Sequence, residues 1–297
     1  MHRKNFIKSL ALLPFTIQAM KLEHLKNITD KFEGSDKLPA LFIGHGNPMN
    51  ALYDNPFTKS LTVVGNDIRA KHTINAILVV SAHWLTKGSF VNVSAKPETI
   101  HDFGGFPDEL FKIQYPAAGS PGYAKEVVTL APEIKTSEEW GLDHGAWTVL
   151  KHLYPKADIP VFQVSIDFYQ PMQYHFNLAK EFKSLREKGV LIIGSGNIVH
   201  NLRMSMQYFG TDKENFVFDW TKEFDEYVKK KIDERDFQSL IDYEKEGSAA
   251  KLSVPTMDHY APLMYSLAMA DKTEEIKYTY EELMSGAISM RCLQIGN

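Results

Sequence analysis

One cysteine, Cys292, in 297 residues excludes an intrachain disulfide and removes every cysteine-based zinc or iron–sulfur motif. A metal site in this chain has to be built from His, Asp or Glu. Basic charge is not in surplus either: 33 Lys+Arg stand against 37 Asp+Glu, a formal net charge of −4, so no global field favours nucleic acid as a partner. No apolar run is long and unbroken enough to span a bilayer. The sequence also lacks a Walker loop, a serine nucleophile elbow, a dinucleotide fingerprint and any internal repeat. Gly194-Ser195-Gly196 follows an apolar run but has no third glycine at the fingerprint's spacing, so it reads as a turn. What remains is an ordinary globular composition, 44% apolar and 24% charged, long enough to fold without a structural metal.

Residues 1–37 read as an N-terminal extension. Arg3-Lys4 and the apolar residues from Leu10 to Met20 resemble a twin-arginine export signal with lysine in the second position; the alternative is a basic amphipathic helix lying on the domain. Export makes the protein periplasmic, and otherwise the cytoplasm is expected. The polar stretch Lys21 to Lys37 suits a linker. From Leu38 to Asn297 no Pro-, Ser- or Gly-rich break divides the chain, which predicts a single domain.

Short apolar runs bounded by turn residues predict buried strands at Ala40 to Ile43, Ala76 to Val80, Val161 to Ile166 and Val190 to Ile193. Helical patterns lie between them, at Tyr123 to Leu130, Ala146 to Leu153 and Tyr174 to Lys188. Leu263 to Ala270 reads as a further helix, and Ala287 to Ile295 as a weak further strand. The alternation predicts an α/β fold, a three-layer α/β/α sandwich around a mixed, largely parallel sheet. Lys222 to Arg235 reads as an amphipathic surface helix with solvated charges. Met204 and Met206 read as packing.

The chemistry collects in the histidines. A lone histidine is most often a satisfied core residue, but three of the 11 leave the ends of predicted strands. His45 stands in Gly44-His45-Gly46-Asn47-Pro48, His83 in Ser81-Ala82-His83-Trp84, and His200 at the end of Gly196-Asn197-Ile198-Val199-His200-Asn201. Ligands gather at the carboxyl ends of strands in open α/β sheets, so these three are placed to converge. Asp143-His144-Gly145 and Asp258-His259-Tyr260 each open a helical stretch, where the plain reading is an Asp cap with an incidental histidine. His101-Asp102-Phe103-Gly104-Gly105-Phe106-Pro107 reads either as a tight turn or as a substrate wall.

In order along the chain, these six motifs resemble the bacterial and plant DOPA 4,5-dioxygenase family within the class III extradiol ring-cleaving dioxygenases, also called LigB-like. The resemblance runs from about Leu38 to Gly296. It implies a non-haem Fe(II) enzyme that opens a catechol ring with O2. It implies His45, His83 and His259 as metal ligands, and His200 as acid/base or fourth ligand. His144 is then a second catalytic histidine touching substrate, and His101 and Phe103 are substrate contacts. Where more distant class III enzymes place a carboxylate, this chain has His259; an all-imidazole set also accepts Zn2+. A catechol held through both oxygens, with O2 beside it, leaves about three of roughly six octahedral positions for protein. The oligomeric state is not legible. Two other functions stay open at this point: a zinc hydrolase using the same histidines, and a non-catalytic metal-binding protein on the same fold. The pair His144 and His200 argues against a mere carrier, which needs no spare histidine.

Overall fold

The computed structural model describes residues 37–297; the export-like segment and most of the linker lie outside the described residues. A six-stranded sheet forms the centre. Its strands are β1 (Ala40–Gly44), β2 (Ala76–Ser81), β3 (Val161–Gln163), β4 (Val190–Gly196), β5 (Ile276–Tyr280) and β6 (Cys292–Ile295). The spatial order is β3-β2-β4-β1-β6-β5. The first four run parallel, and β6 and β5 add antiparallel strands at one edge. The sheet is therefore mixed and largely parallel, as the βα alternation predicts.

Two-residue alternation along the buried strands feeds two separate cores. Ala40, Phe42, Leu78 and Val80 pack on one face with helices α3 (Met172–Glu181), α4 (Asp219–Asp233) and α5 (Ala261–Leu267). Leu41, Ile43, Ile77 and Val79 pack on the other with α1 (Pro56–Lys71) and α2 (His144–Leu153). Strands buried on both faces read as continuous apolar runs because neither set of side chains meets water. That is the three-layer sandwich.

Three elements depart from the periodicity. The strand expected over Ala287 to Ile295 is split: Ile288–Ser289 pairs with Leu283–Met284 outside the central sheet, and only Cys292–Ile295 joins it as β6. The run from Val161 breaks after Gln163 and resumes at Ile166–Asp167 beside Leu85–Thr86. Between them Ser165 Oγ accepts the Phe90 N–H at 2.8 Å and bonds Thr86 Oγ1 at 2.7 Å, which turns the chain out of the central sheet. The helix expected up to Lys188 is α-helical only to Glu181 and continues as a 3-10 turn to Lys188, where Gly189 at φ 78° ends it.

The charges of α4 are not all solvated. Asp225 is 1% exposed, accepts the Ser289 hydroxyl at 2.6 Å and is clasped by the Arg291 guanidinium, Nε to Oδ2 at 3.1 Å. Arg291→Ala strands that carboxylate, since the serine hydroxyl alone cannot neutralise it. The expected cost is ~3–5 kcal/mol in denaturant unfolding, and a loss below about 1 kcal/mol would show that the pair is solvated in practice.

Candidate active site

Parallel strands have their carboxyl ends on one edge, and register makes those ends level: Gly44 pairs with Gly196 and Ser81 with Ser195. His45 therefore leaves β1, His83 leaves β2 and His200 leaves β4 at the same rim. Gly46 (φ +63°) turns the chain straight after His45, and a Cβ there would meet Met290 Sδ at 2.4 Å. His259 arrives from the loop before α5, whose backbone lies against β4. A Cβ on Gly196 would sit 2.1 Å from the His259 carbonyl oxygen, and the Asn197 N–H donates to that oxygen at 2.8 Å. Gly194-Ser195-Gly196 is thus the end of a strand and not the expected turn; its glycines make room for α5. His144 is the first residue of α2, and Asp143 caps that helix by accepting the Ala146 N–H at 3.2 Å.

The imidazole rings form one cluster. Centroids of His45, His83 and His259 lie 5.0, 5.0 and 5.3 Å apart, a nearly equilateral triangle. His144 packs on the flank of His83 at 3.8 Å and is 5.8 Å from His45. His200 lies flat on His259, 3.5 Å between centroids and 6° between planes. Candidate ligand atoms of His45, His83 and His144 all fall within 4.8 Å of one another. Two triads therefore share His45 and His83, and the resemblance distinguishes the one closed by His259.

Hydrogen-bond partners fix the tautomers. Ser195 has one hydroxyl proton and two neighbours. The Gly145 carbonyl at 2.6 Å can only accept, so the proton goes there, and Ser195 Oγ accepts Nδ1–H of His45 at 3.0 Å. His45 Nε2 is left as a lone pair, 3.1 Å from His83 Nε2. Metal–nitrogen bonds of ~2.0–2.1 Å at near-right or tetrahedral angles place two donors roughly 2.9–3.4 Å apart, so this pair fits a shared divalent cation. His259 Nδ1–H donates to Asp258 at 2.8 Å, which leaves its Nε2 for the centre as well. Such outer partners orient metal-binding imidazoles.

The electrostatics favour neutral imidazoles at His45, His83 and His200. Burial, reinforced by the neighbouring histidines, pushes His45 and His83 well below the usual histidine range. Burial followed by the charge of His259 does the same to His200. Burial alone would raise the Asp258 carboxyl, but the hydrogen bond and charge of His259 outweigh it and hold it far below the carboxylate range. Asp102 follows the same pattern more weakly through His144.

The cluster opens on a cavity of about 600 Å³ that exposes His83, His144, His200 and His259. Its apolar lining includes Phe103, Phe106, Leu202, Met206, Phe209 and Ile288. Met206 is 68% exposed at this site, which corrects its reading as packing. Phe103 lies edge-on to His144, with centroids 5.5 Å apart. His101 is not on the cavity surface: its Nε2 donates to the Ile113 carbonyl at 3.1 Å and its ring packs on Phe103, Phe111 and Trp147. The wall is built by Phe103, with His101 behind it. Phe103→Ala is expected to raise KM or lower turnover for aromatic substrates about tenfold with metal content unchanged; a large loss of stability with normal kinetics would make Phe103 a core residue.

Sequence reasoning missed Asp102 and Ser195 and took Asp258 for a helix cap. Asp258 has no capping bond to α5, whose N-cap is Tyr260. For Asp102 and Asp258 a signal existed, since each adjoins a histidine in a motif; for Ser195 only the strand register reveals the contact.

Comparison with known proteins gives a consistent picture. Residues 39–290 match the family described as the catalytic LigB subunit of aromatic ring-opening dioxygenase. A 4,5-DOPA dioxygenase extradiol of Escherichia coli (strain K12) is 40% identical over 278 residues, covering 91% of this chain and 98% of that one. One from Beta vulgaris is 34% identical over 255 residues, covering 84% and 92%. The crystal structure of an Escherichia coli K12 protein described as uncharacterized superposes with a TM-score of 0.75 at 38% identity, covering 87% of this chain and all of that one. Among the described residues no helix is long and apolar enough to cross a membrane.

Proposed function

The chain belongs to the LigB family of aromatic ring-opening dioxygenases, and from that premise we propose that this extradiol ring-cleaving dioxygenase acts on a catechol such as DOPA, with O2, at the histidine cluster. The observation that carries the reading is the even triangle of His45, His83 and His259 facing an apolar cavity that also exposes two further histidines. A flat aromatic ring suits the phenylalanine-lined space. We assign the divalent cation to His45, His83 and His259, with Fe2+ as the ion for activity and Zn2+ as the ion that binds without turnover. A bound divalent ion would lower the pKa of the catechol hydroxyls, and Fe2+ would in addition relay electrons from ring to O2, which d10 Zn2+ could not.

The protein's own residues do the rest. Ser195 and Asp258 hold two imidazoles with Nε2 aimed inward. His200 takes up the catechol proton: its ring lies at the cavity surface, and among the described residues its ring nitrogens carry no hydrogen bond that would occupy them. His144 contacts the substrate from beside His83, and Phe103 and Phe106 exclude water from the ring. The compartment we propose is the cytoplasm; recovery of the chain from a periplasmic fraction would move it.

The test is anaerobic reconstitution with Fe2+, then a panel of catechols followed by O2 uptake and by the appearance of a coloured ring-opened product. DOPA among the best substrates supports the substrate class. Zinc-dependent ester or amide cleavage without O2 uptake would establish the hydrolase instead.

A further inference from the structure

Asp102 sits in the phenylalanine-bearing loop and touches the histidine cluster at three points. Its Oδ1 accepts the backbone N–H of His144 at 2.9 Å, and its Oδ2 lies 2.9 Å from His144 Nδ1. The same Oδ2 is 3.6 Å from His83 Nδ1. A carboxylate only accepts, so the short contact requires His144 to carry its proton on Nδ1. The backbone bond anchors the carboxylate at the start of α2, so the acceptor cannot swing away without uncapping that amide. His144 is 7% exposed and lines the cavity, and with Nδ1 held by Asp102 its remaining nitrogen, Nε2, is left as a lone pair.

We propose that Asp102 is a positioning residue for ring opening, fixing His144 in the Nδ1–H tautomer so that Nε2 accepts a hydrogen bond from a catechol hydroxyl. The inference rests on the functional reading above. It explains why Asp102 and Phe103 are neighbours: one short loop both walls the ring and sets the acceptor that meets the ring's hydroxyl. The longer contact to His83 is compatible with a shared electrostatic role, but the hydrogen-bond geometry belongs to His144.

Asp102→Asn tests this. With Oδ1 kept on the backbone amide, the Asn NH2 faces His144 Nδ1, which must then accept, and the ring proton moves to Nε2. The tautomer is read by 15N NMR of histidine-labelled, zinc-loaded protein, the His144 signals being assigned by their absence in His144→Gln. The expected result is a switch from Nδ1–H to Nε2–H, with kcat/KM of the iron-loaded enzyme reduced about 10–100-fold and metal content unchanged. Asp102→Glu keeps the acceptor and is expected to retain Nδ1–H; should the Asn variant not fold, the wild-type spectrum still decides, because an Nε2–H signal for His144 there overturns the proposal. An unchanged tautomer in Asp102→Asn, or kcat/KM within about threefold of wild type, overturns the proposal. Metal loss as deep as that of His83→Ala also overturns it, placing the role of Asp102 on His83. If wild-type protein opens no catechol, the functional reading falls, while the NMR arm still decides whether Asp102 sets the tautomer.

Discussion

His200→Gln is expected to keep most of its metal and still bind catechol while losing turnover by about 10²–10⁴-fold, the usual worth of a positioned proton-transfer group. On the proposed assignment His45, His83 and His259 remain to hold the ion, and glutamine preserves much of the volume stacked on His259, whose ring lies 3.5 Å away. Burial keeps the His200 imidazole neutral, the form that can take a proton from the substrate. Metal content, anaerobic catechol binding and steady-state rate separate the outcomes. A metal loss equal to that of His45→Ala would make His200 an obligatory fourth ligand. Retained metal with unimpaired O2 uptake would remove it from both roles and leave His144 as the proton acceptor.

The second large effect concerns the ion itself. His45→Ala, His83→Ala and His259→Ala are each expected to lower metal affinity at least 10–100-fold, beyond the usual effect of losing an outer partner, whereas His144→Ala retains the ion. The contrast between His144 and His259 is the informative part. Ligand-atom proximity groups His144 with His45 and His83, while ring geometry completes an even triangle with His259. Elemental analysis of the four variants decides: full occupancy in His259→Ala with loss in His144→Ala would exchange the two assignments.

The fold and the outline of the site were legible for the same reason. Fully buried parallel strands are continuous apolar runs, and their ends are marked by glycine, serine and histidine, so Ala40, Ala76 and Val190 announce β1, β2 and β4, and the residues after them announce the rim. Contacts made across the sheet were not legible. Ser195 reaches His45 from 150 residues away, and Asp225 meets Arg291 from 66; no local period encodes either. Asp225 looked like one more charge on a solvated helix face because its partner comes from the last sheet strand's approach. The break after Gln163 was hidden because Val164 and Ile166 are as apolar as the strand before them. His101 stood in the right motif but behind the wall: Asp102 to Phe106 all line the cavity, whereas His101 turns inward to the Ile113 carbonyl, and no local pattern marks where the loop makes that change.

Cleavage of an aromatic ring with insertion of oxygen from O2 is decided by isotope incorporation. The iron-loaded protein is given a catechol under 18O2, and the ring-opened product is weighed by mass spectrometry before its carbonyl oxygens exchange with water. Both new oxygen atoms are expected to come from 18O2. A product whose new oxygen comes from water, or an unopened ring after full O2 consumption, would contradict that expectation.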